Sequence, residues 1–228
     1  MKEYVLITGG SSGLGLELVK ECHARGLTVC NLSKNPDKIS KLYEMFPERF
    51  VAFAGDLTDH EYVSQSVAKL FEDGRVTLLI NSAERGVFKS PADYTPEDVE
   101  TSLQGLRGME LVTTAVLKAS EEHDLKIVNI LSSAARTGKP KEALYCAAKW
   151  GERGYTEALK AAYADTSVKV VAVYPSGMNT AFWETSRDYI PTEKSDTFLD
   201  PAQVAKLILD NVMQESELID DEQIIKRN

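Results

Sequence analysis

Short apolar runs alternate with segments of helical spacing along almost the whole chain, and this alternation limits the fold more than any other feature. Six such runs begin at or near Tyr4, Thr28, Arg49, Thr77, Lys126 and Val168. Strands that are separated by helices in this way build a parallel sheet with helices on both faces. We therefore predict an α/β fold with a doubly wound parallel sheet, in a single domain that spans residues 1–228.

Charge and composition exclude several classes of protein. The chain carries a formal net charge of −9, whereas the phosphate backbone of nucleic acid requires a basic partner. No apolar run approaches the ~20 residues that a membrane span needs. Cys22, Cys30 and Cys146 lack the spacing of a disulfide framework or a zinc site. Since the first residues also lack the features of a signal peptide, we expect a cytoplasmic protein without metal, nucleic-acid or membrane partners.

A glycine-rich loop joins the first predicted strand to the first helix. Glycines permit a tight turn and let the backbone approach a pyrophosphate, whose charge is stabilised by the amides at the helix N-terminus. Such a loop is often only a turn, but its place between a strand and a helix at the start of an alternating chain favours a dinucleotide site. The candidate contacts are Thr8, Gly9, Ser11, Ser12, Gly13, Leu14 and Gly15.

The end of the second predicted strand indicates which nicotinamide cofactor the chain prefers. An acidic residue there would bind the ribose hydroxyls of NAD, whereas a cation suits the 2′-phosphate of NADP. This chain offers Ser33 and Lys34, and no carboxylate before Asp37. NADP(H) is therefore favoured over NAD(H), and the alternative is that Lys34 is an ordinary solvated lysine.

Polar residues also follow the other predicted strands, at the edge where ligands of a parallel sheet gather. Asp56, followed by Leu57, either contacts a ligand or caps the helix that starts near Asp59. Thr180 either contacts a ligand or begins the next segment. The other candidates at strand ends are Asn81, Ser82, Ala83, Ser132, Ser133, Pro175, Ser176, Gly177 and Met178.

A long helix is predicted from Thr95 onward, with a threonine cap and a proline in the first turn. Gly105 and Gly108 interrupt its pattern, and each costs a helix interior about 1 kcal/mol relative to alanine. They therefore indicate a close approach of another backbone or a local irregularity.

Tyr145 and Lys149 lie one turn apart on one face of the helix that follows the fifth strand. A tyrosine alone titrates near ~10, but an ammonium beside it favours the phenolate and lowers that pKa. The phenol then becomes a usable general acid or base. Taken alone, such a pair is more often an ordinary helix aromatic beside a solvated lysine, so its position near the strand ends is what makes it a candidate.

In this combination the chain resembles the short-chain dehydrogenase/reductase family in its compact form, from Tyr4 to about Leu209. The matching motifs are the loop Thr8-Gly9-x-x-x-Gly13-x-Gly15, Asp56-Leu57, Asn81-Ser82-Ala83 and Tyr145-x-x-x-Lys149. The resemblance implies a Rossmann-like fold and an NADP(H)-dependent oxidoreductase that moves hydride between the cofactor and a small carbonyl or alcohol.

The resemblance also implies a role for each catalytic residue. Ser132 would hold the substrate carbonyl, Tyr145 would donate the proton, and Lys149 would lower the pKa of Tyr145 and bind the nicotinamide ribose. Ser132 is chosen because it lies three positions after Asn129 and thirteen before the tyrosine. Ser133 remains the alternative to it and is otherwise a turn or capping residue. Thr180 would contact the cofactor carboxamide, and Asp56 the adenine.

Three positions depart from the family pattern. Gly105 stands where the family has an asparagine that supports proton return, so either water fills the space or the return is slowed. Glu84 replaces a glycine close to the cofactor, which its carboxylate is expected to crowd or repel, and Ser176 replaces another glycine. These departures keep open a second interpretation, a nucleotide-binding regulatory protein with weakened catalysis.

The residues that are expected to contact the substrate indicate less about function than the residues that are expected to contact the cofactor. Residues 181–198 are expected to form a short lid, in which Trp183, Tyr189 and Ile190 either build an apolar wall or pack against the domain. By resemblance, the helices that carry Gly105 and Tyr145 would build a homodimer or homotetramer. The expected partner is otherwise a small molecule.

Overall fold

The sheet of the computed structural model, which describes residues 1–121, 124–185 and 198–227, has seven parallel strands in that part of the chain. They are β1 (Lys2–Thr8), β2 (Thr28–Ser33), β3 (Phe50–Ala54), β4 (Gly74–Asn81), β5 (Lys126–Ile130), β6 (Lys169–Pro175) and β7 (Glu222–Ile225). Their order is β3-β2-β1-β4-β5-β6-β7, with all neighbours parallel. The order reverses between β1 and β4, and ligands of such sheets bind at this reversal. The predicted doubly wound sheet is confirmed.

Helices connect these strands and cover the sheet. They are α1 (Gly13–Ala24), α2 (Pro36–Met45), α3 (His60–Asp73), α4 (Pro96–Ser102), α5 (Gln104–Ser120), α6 (Ala143–Ala162), α7 (Phe182–Thr185) and α8 (Pro201–Val212). None of these helices, within the described ranges, has the length and apolar character needed to cross a bilayer.

The core consists of two layers because successive side chains of a strand point to opposite faces of the sheet. On β1, Ile7 faces the layer of α1 and α8, where it joins Leu18 and Ile208. Leu6 faces the other layer, where Val116 of α5 packs. All five are fully buried or nearly so, and burial of such side chains stabilises the fold by about 1.5–3 kcal/mol each.

The long helix predicted from Thr95 is two helices, so that part of the prediction is wrong. Its start is confirmed, because the Asp98 side chain accepts from the Thr95 backbone N–H at 2.7 Å and the two residues form a capping box. The break falls at Leu103. The residue before it, Ser102, donates its hydroxyl to the Val99 carbonyl at 2.8 Å. Gly105 and Gly108 both lie inside α5, so the break does not fall at either glycine.

Candidate active site

A cavity of about 670 Å³ opens at the carboxyl ends of the strands. Nearly all of the residues predicted from the sequence line it, although they come from six separate connections along the chain. These lining residues are Gly9, Ser11, Ser12, Gly13, Leu14, Gly15, Ser33, Lys34, Asp56, Leu57, Ser82, Ala83, Ser132, Tyr145, Lys149, Pro175, Ser176, Gly177, Met178 and Thr180.

Two predicted contacts, Thr8 and Asn81, lie behind the wall of this cavity instead of lining it. The Thr8 hydroxyl accepts from the backbone N–H groups of Ser82 and Ala83, at 3.0 and 3.1 Å. Asn81 is buried, and its amide donates to Asn129 Oδ1 at 2.8 Å. The Thr8 hydroxyl and the Asn81 amide nitrogen are thus held by hydrogen bonds inside the protein, behind the residues that line the cavity.

The glycine loop needs its glycines for space as well as for backbone conformation. Gly9 and Gly13 have φ angles of 71° and 55°, in the left-handed region that L side chains rarely adopt. A Cβ at Gly15 would lie 2.4 Å from the Gly9 carbonyl oxygen, and a Cβ at Gly9 would lie 2.7 Å from the Cα of Ala83. Side chains at these two positions would therefore displace neighbouring backbone.

The N-terminus of α1 is suited to an anion. Ser12 precedes the helix in an extended conformation and its side chain makes no capping hydrogen bond, and the first turn contains no acidic residue. The first N–H groups of a helix have no intrahelical partner and carry a partial positive charge. Because this end of α1 lines the cavity beside closely packed glycines, the residues present fit the pyrophosphate of a dinucleotide.

At the outer end of the cavity, Lys34 and Asp56 bind each other. Their ion pair spans 2.6 Å from Nζ to Oδ2, and both side chains are exposed, at 62% and 38%. The Lys34 ammonium is the main cause that lowers the pKa of Asp56 to about 2. A phosphate at Lys34 would therefore compete with a carboxylate that already holds the lysine.

The alternative role considered for Asp56, a cap for the following helix, is wrong. Asp59 caps α3, and its side chain accepts from the backbone N–H groups of Glu61 and Tyr62 at 2.9 and 3.3 Å. Asp56 Oδ1 instead accepts from the backbone N–H and the hydroxyl of Thr58, which holds a turn before the helix.

Ser132 and Ser133 differ in what they face. Ser132 lines the cavity beside Tyr145, and its hydroxyl is one of the groups that act to lower the pKa of Tyr145. The same hydroxyl accepts from the Ala134 backbone N–H at 3.1 Å, so the capping role expected of Ser133 belongs to Ser132. The Ser133 hydroxyl accepts from Lys139 Nζ at 3.1 Å.

The pKa of Tyr145 is raised above its ordinary value, contrary to the expectation that Lys149 would leave it lowered. Burial is the largest cause, since it disfavours the phenolate. Lys149 acts in the predicted direction, but the carboxyl groups of Glu84 and Glu152 oppose it. In this arrangement the phenol is therefore neutral at physiological pH.

Lys149 is almost completely buried and is surrounded by acceptors. Its Nζ donates to the Ile130 carbonyl at 3.1 Å and to Glu152 Oε2 at 2.7 Å, and lies 2.6 Å from Glu84 Oε2. Burial lowers the pKa of Lys149, but the two carboxyl groups outweigh that effect and raise it. Sequence reasoning missed Glu152, although its position three residues after Lys149 on the same helix could have indicated the contact.

Glu84 fills the space left by Gly105. A Cβ built at Gly105 would lie 2.4 Å from Glu84 Oε1, so the Glu84 carboxylate occupies the space where water was expected. Glu84 Oε1 also accepts from the backbone N–H of Arg85 at 2.7 Å. The carboxylate that is expected to crowd or repel a cofactor lines the cavity and is paired with Lys149.

Aromatic rings surround Tyr145 on the substrate side. The ring centroids of Phe88 and Phe182 lie 5.2 and 5.8 Å from that of Tyr145, and Trp183 lies 5.2 Å from Phe88. Trp183 also stacks on Phe198 at 5.4 Å. Of the predicted lid, residues 186–197, including Tyr189 and Ile190, lie outside the described residues.

Known proteins match both the sequence and this architecture. The family model for short chain dehydrogenase matches residues 3–190. A 3-ketodihydrosphingosine reductase of Bacteroides thetaiotaomicron is 29% identical over 202 residues, which cover 87% of this chain and 72% of that protein.

Two solved structures extend the comparison to the fold. A short-chain dehydrogenase/reductase from Vibrio parahaemolyticus has a TM-score of 0.85 at 27% identity, with 98% of this chain and 99% of that chain covered. A variant actinorhodin polyketide ketoreductase with NADPH has a TM-score of 0.85 at 25% identity, with 98% and 95% covered. The glycine loop, the pair of Tyr145 and Lys149 and these matches together establish that the chain belongs to the short chain dehydrogenase family.

Proposed function

We propose that this chain is an NADP(H)-dependent oxidoreductase that acts on a small carbonyl or alcohol compound. The observation that carries the proposal is the meeting of Ser132, Tyr145 and Lys149 in one cavity with the glycine loop. The loop and the N-terminus of α1 would hold the pyrophosphate. When bound, the nicotinamide supplies or accepts a hydride at the substrate carbon.

The chemistry of this chain's own residues centres on the carbonyl oxygen. The hydroxyls of Ser132 and Tyr145, which both line the cavity, are donors that can bind that oxygen. Tyr145 then gives its proton to the oxygen as negative charge develops there. Burial and the nearby carboxyl groups raise the pKa of Tyr145, so the phenol carries its proton before the reaction and can donate it in the direction of carbonyl reduction.

The aromatic groups beside Tyr145 suggest the kind of carbonyl. Phe88 and Phe182 contact the Tyr145 ring, and Trp183 extends the same apolar wall. Apolar pockets with a few placed polar groups select ligands by shape and orient them by hydrogen bonds. We therefore expect a ketone or aldehyde on an apolar or aromatic body.

The preference for NADP(H) over NAD(H) rests on Lys34 and on the absence of a carboxylate directly after β2. The related polyketide ketoreductase with NADPH supports the same choice. Since Lys34 is already paired with Asp56, the 2′-phosphate would take over part of that ion pair, and the preference is expected to be moderate.

A second candidate function, cofactor binding without efficient turnover, has one observation in its favour. Lys149 has three N–H donors, and three protein acceptors surround them: the Ile130 carbonyl, Glu152 and Glu84. A lysine held in this way is less available to a cofactor ribose. Measured turnover decides between the two functions.

Oxidation of NADPH across a panel of aromatic and aliphatic carbonyls tests the proposal. We expect turnover of at least one apolar ketone or aldehyde. The Tyr145→Phe variant should bind NADPH with unchanged affinity and lose at least about 100-fold in kcat, because it removes the general acid. Undiminished reduction by this variant would show that the proton comes from another group, and NADPH binding without turnover of any carbonyl by the wild-type protein would favour the second candidate.

A further inference from the structure

The group of buried charges formed by Glu84, Lys149 and Glu152 goes beyond what the proposed reaction requires of Lys149 alone. Glu152 is 1% exposed and Lys149 is 3% exposed. The Glu84 side chain, at 10%, is nearly as buried. Two carboxylates around one ammonium would leave an unbalanced negative charge inside the protein, which is costly. One additional proton would balance the group.

The geometry indicates where that proton lies. Glu152 Oε1 is buried and receives no donor from the described residues. The carboxyl groups of Glu84 and Glu152 lie against the same ammonium, with their Oε2 atoms 2.6 and 2.7 Å from Lys149 Nζ. An ionised carboxylate can only accept hydrogen bonds, so two carboxyl groups bond to each other only when one of them is protonated.

The groups in contact with this pair come from three parts of the described chain. Helix α6 contributes Lys149 and Tyr145, the loop after β4 contributes Glu84, and β5 contributes the carbonyl of Ile130. Helix α5 presents Gly105, which has no side chain. Burial, the Glu84 charge and the hydrogen bond with Glu84 raise the pKa of Glu152 well above its usual range, in spite of Lys149.

We propose that Glu84 and Glu152 are positioning residues that share one proton, and that together they hold Lys149 beside Tyr145 in the space that Gly105 leaves open. This inference rests on the proposed reductase function and extends it. After Tyr145 has given its proton to the substrate oxygen, Lys149 returns a proton to the phenolate. The carboxyl pair then restores the ammonium and is itself reprotonated from solvent, so each turnover consumes one solvent proton.

The first experiment compares Glu84→Gln, Glu152→Gln and the double variant. Each single variant leaves one carboxylate to balance Lys149, so we expect kcat to fall by about tenfold or less. The double variant leaves Lys149 without a counter-charge and should lose at least about 1,000-fold, more than the product of the two single losses.

The pH profile is the readout that a purely structural role would not change. In the wild-type protein, loss of the shared proton should lower kcat on the alkaline side. In either single variant that limb should move by at least about one pH unit, because the pair no longer exists. Superimposable profiles, or a double variant that equals the product of the singles, would overturn the proposal.

A second set of variants tests the shared space. Gly105→Ala should push the Glu84 carboxylate away from Lys149, and Glu84→Gly should remove it, so both should lower kcat by a similar factor. The variant with both changes should then be no worse than the poorer single variant. If the two losses multiply instead, Glu84 and Gly105 act independently and the proposal is wrong on this point.

Carboxyl ¹³C NMR of the cofactor-free protein separates this inference from the proposed function. Shared protonation predicts that one glutamate, absent from the spectrum of Glu152→Gln, titrates well above the ordinary range. That result would support the proton-sharing pair even if no carbonyl were reduced. Ordinary titration of Glu152 would overturn the pair even in an active enzyme.

Discussion

The two ends of the cavity are built on different physical principles. At the nucleotide end, Gly9 and Gly15 are required because a Cβ at either would lie within 2.7 Å of neighbouring backbone, and the charged pair there is exposed. At the catalytic end, Lys149 and Glu152 are 3% and 1% exposed, and each side chain depends on the charge of its neighbours.

This difference explains which parts of the family pattern are kept. A backbone contact tolerates no added atom, so the glycines of the loop stay as they are. A buried group of charges requires only that its net charge and its volume be preserved. Two of the positions that depart from the expected family pattern, Glu84 and Gly105, share one space, since a Cβ at Gly105 would lie 2.4 Å from Glu84 Oε1.

Removal of the Lys149 ammonium should have the largest effect on turnover and on the free energy of unfolding. Lys149→Met leaves two buried carboxyl groups without their cation, and we expect loss of turnover and about 3 kcal/mol of unfolding free energy. The pKa of Glu152 already lies well above its usual value in the folded protein, and loss of the Lys149 charge, which lowers it, should raise it further. Protonation therefore favours folding, and the deficit should grow as the pH rises from about 5 to about 8.

Chemical denaturation at several pH values measures this prediction. Lys20→Met is the control, because Lys20 makes an exposed ion pair with Glu17 on α1. Its removal should change the unfolding free energy by no more than about 0.5 kcal/mol. A deficit in Lys149→Met that is independent of pH would contradict the charge-balance explanation.

A methyl group in the glycine loop should have the next largest effect. In Gly15→Ala the new Cβ would lie 2.4 Å from the Gly9 carbonyl oxygen, which belongs to backbone and cannot turn aside. We expect a loss of about 2 kcal/mol in unfolding free energy and at least tenfold, roughly, in NADPH affinity. Denaturation and fluorescence titration measure the two quantities.

Gly154→Ala is the matched control for that substitution. Gly154 lies in α6, and a Cβ there would meet nothing within 4 Å. Alanine favours helix over glycine by about 0.5–1 kcal/mol, so this variant should be more stable than the wild type and bind NADPH equally well. If Gly15→Ala behaved in the same way, the loop would not be limited by backbone contact.

Removal of the exposed ion pair between Lys34 and Asp56 should have the smallest effect on the free energy of unfolding. Lys34→Ala should raise the Kd for NADPH by about tenfold, leave that for NADH almost unchanged, and alter the unfolding free energy by less than about 1 kcal/mol. Isothermal titration with both cofactors measures the difference, with the exposed Lys41→Ala as the control. Tighter binding of NADH than of NADPH by the wild-type protein would contradict the proposed cofactor.

The sequence was sufficient for the parts of the molecule that depend on local pattern. Alternating apolar runs predicted the sheet, and the loop and strand-end residues predicted nearly all of the cavity lining, because parallel strands bring their carboxyl ends to one edge. The break at Leu103 was missed because it depends on a side-chain hydrogen bond from Ser102 and not on the two glycines.

The contacts between charged residues could not be predicted in this way. Lys34 and Asp56 were each expected to face a ligand, yet they bind each other across the end of the sheet. In the sequence Glu84 and Gly105 are two separate departures from the family pattern, because the local sequence does not indicate that residues 84 and 105 share one space. Only the packing of α5 and α6 against the loop after β4 brings them together.

The shared space at Gly105 also limits the order in which this site could have evolved. Glu84 in its present contact with Lys149 leaves no room for a Cβ at position 105, which would lie 2.4 Å from Glu84 Oε1. A protein that already has glycine at position 105 could accept Glu84 in one step. We therefore expect reconstructed ancestors of this lineage to carry glycine at position 105 before glutamate appears at position 84.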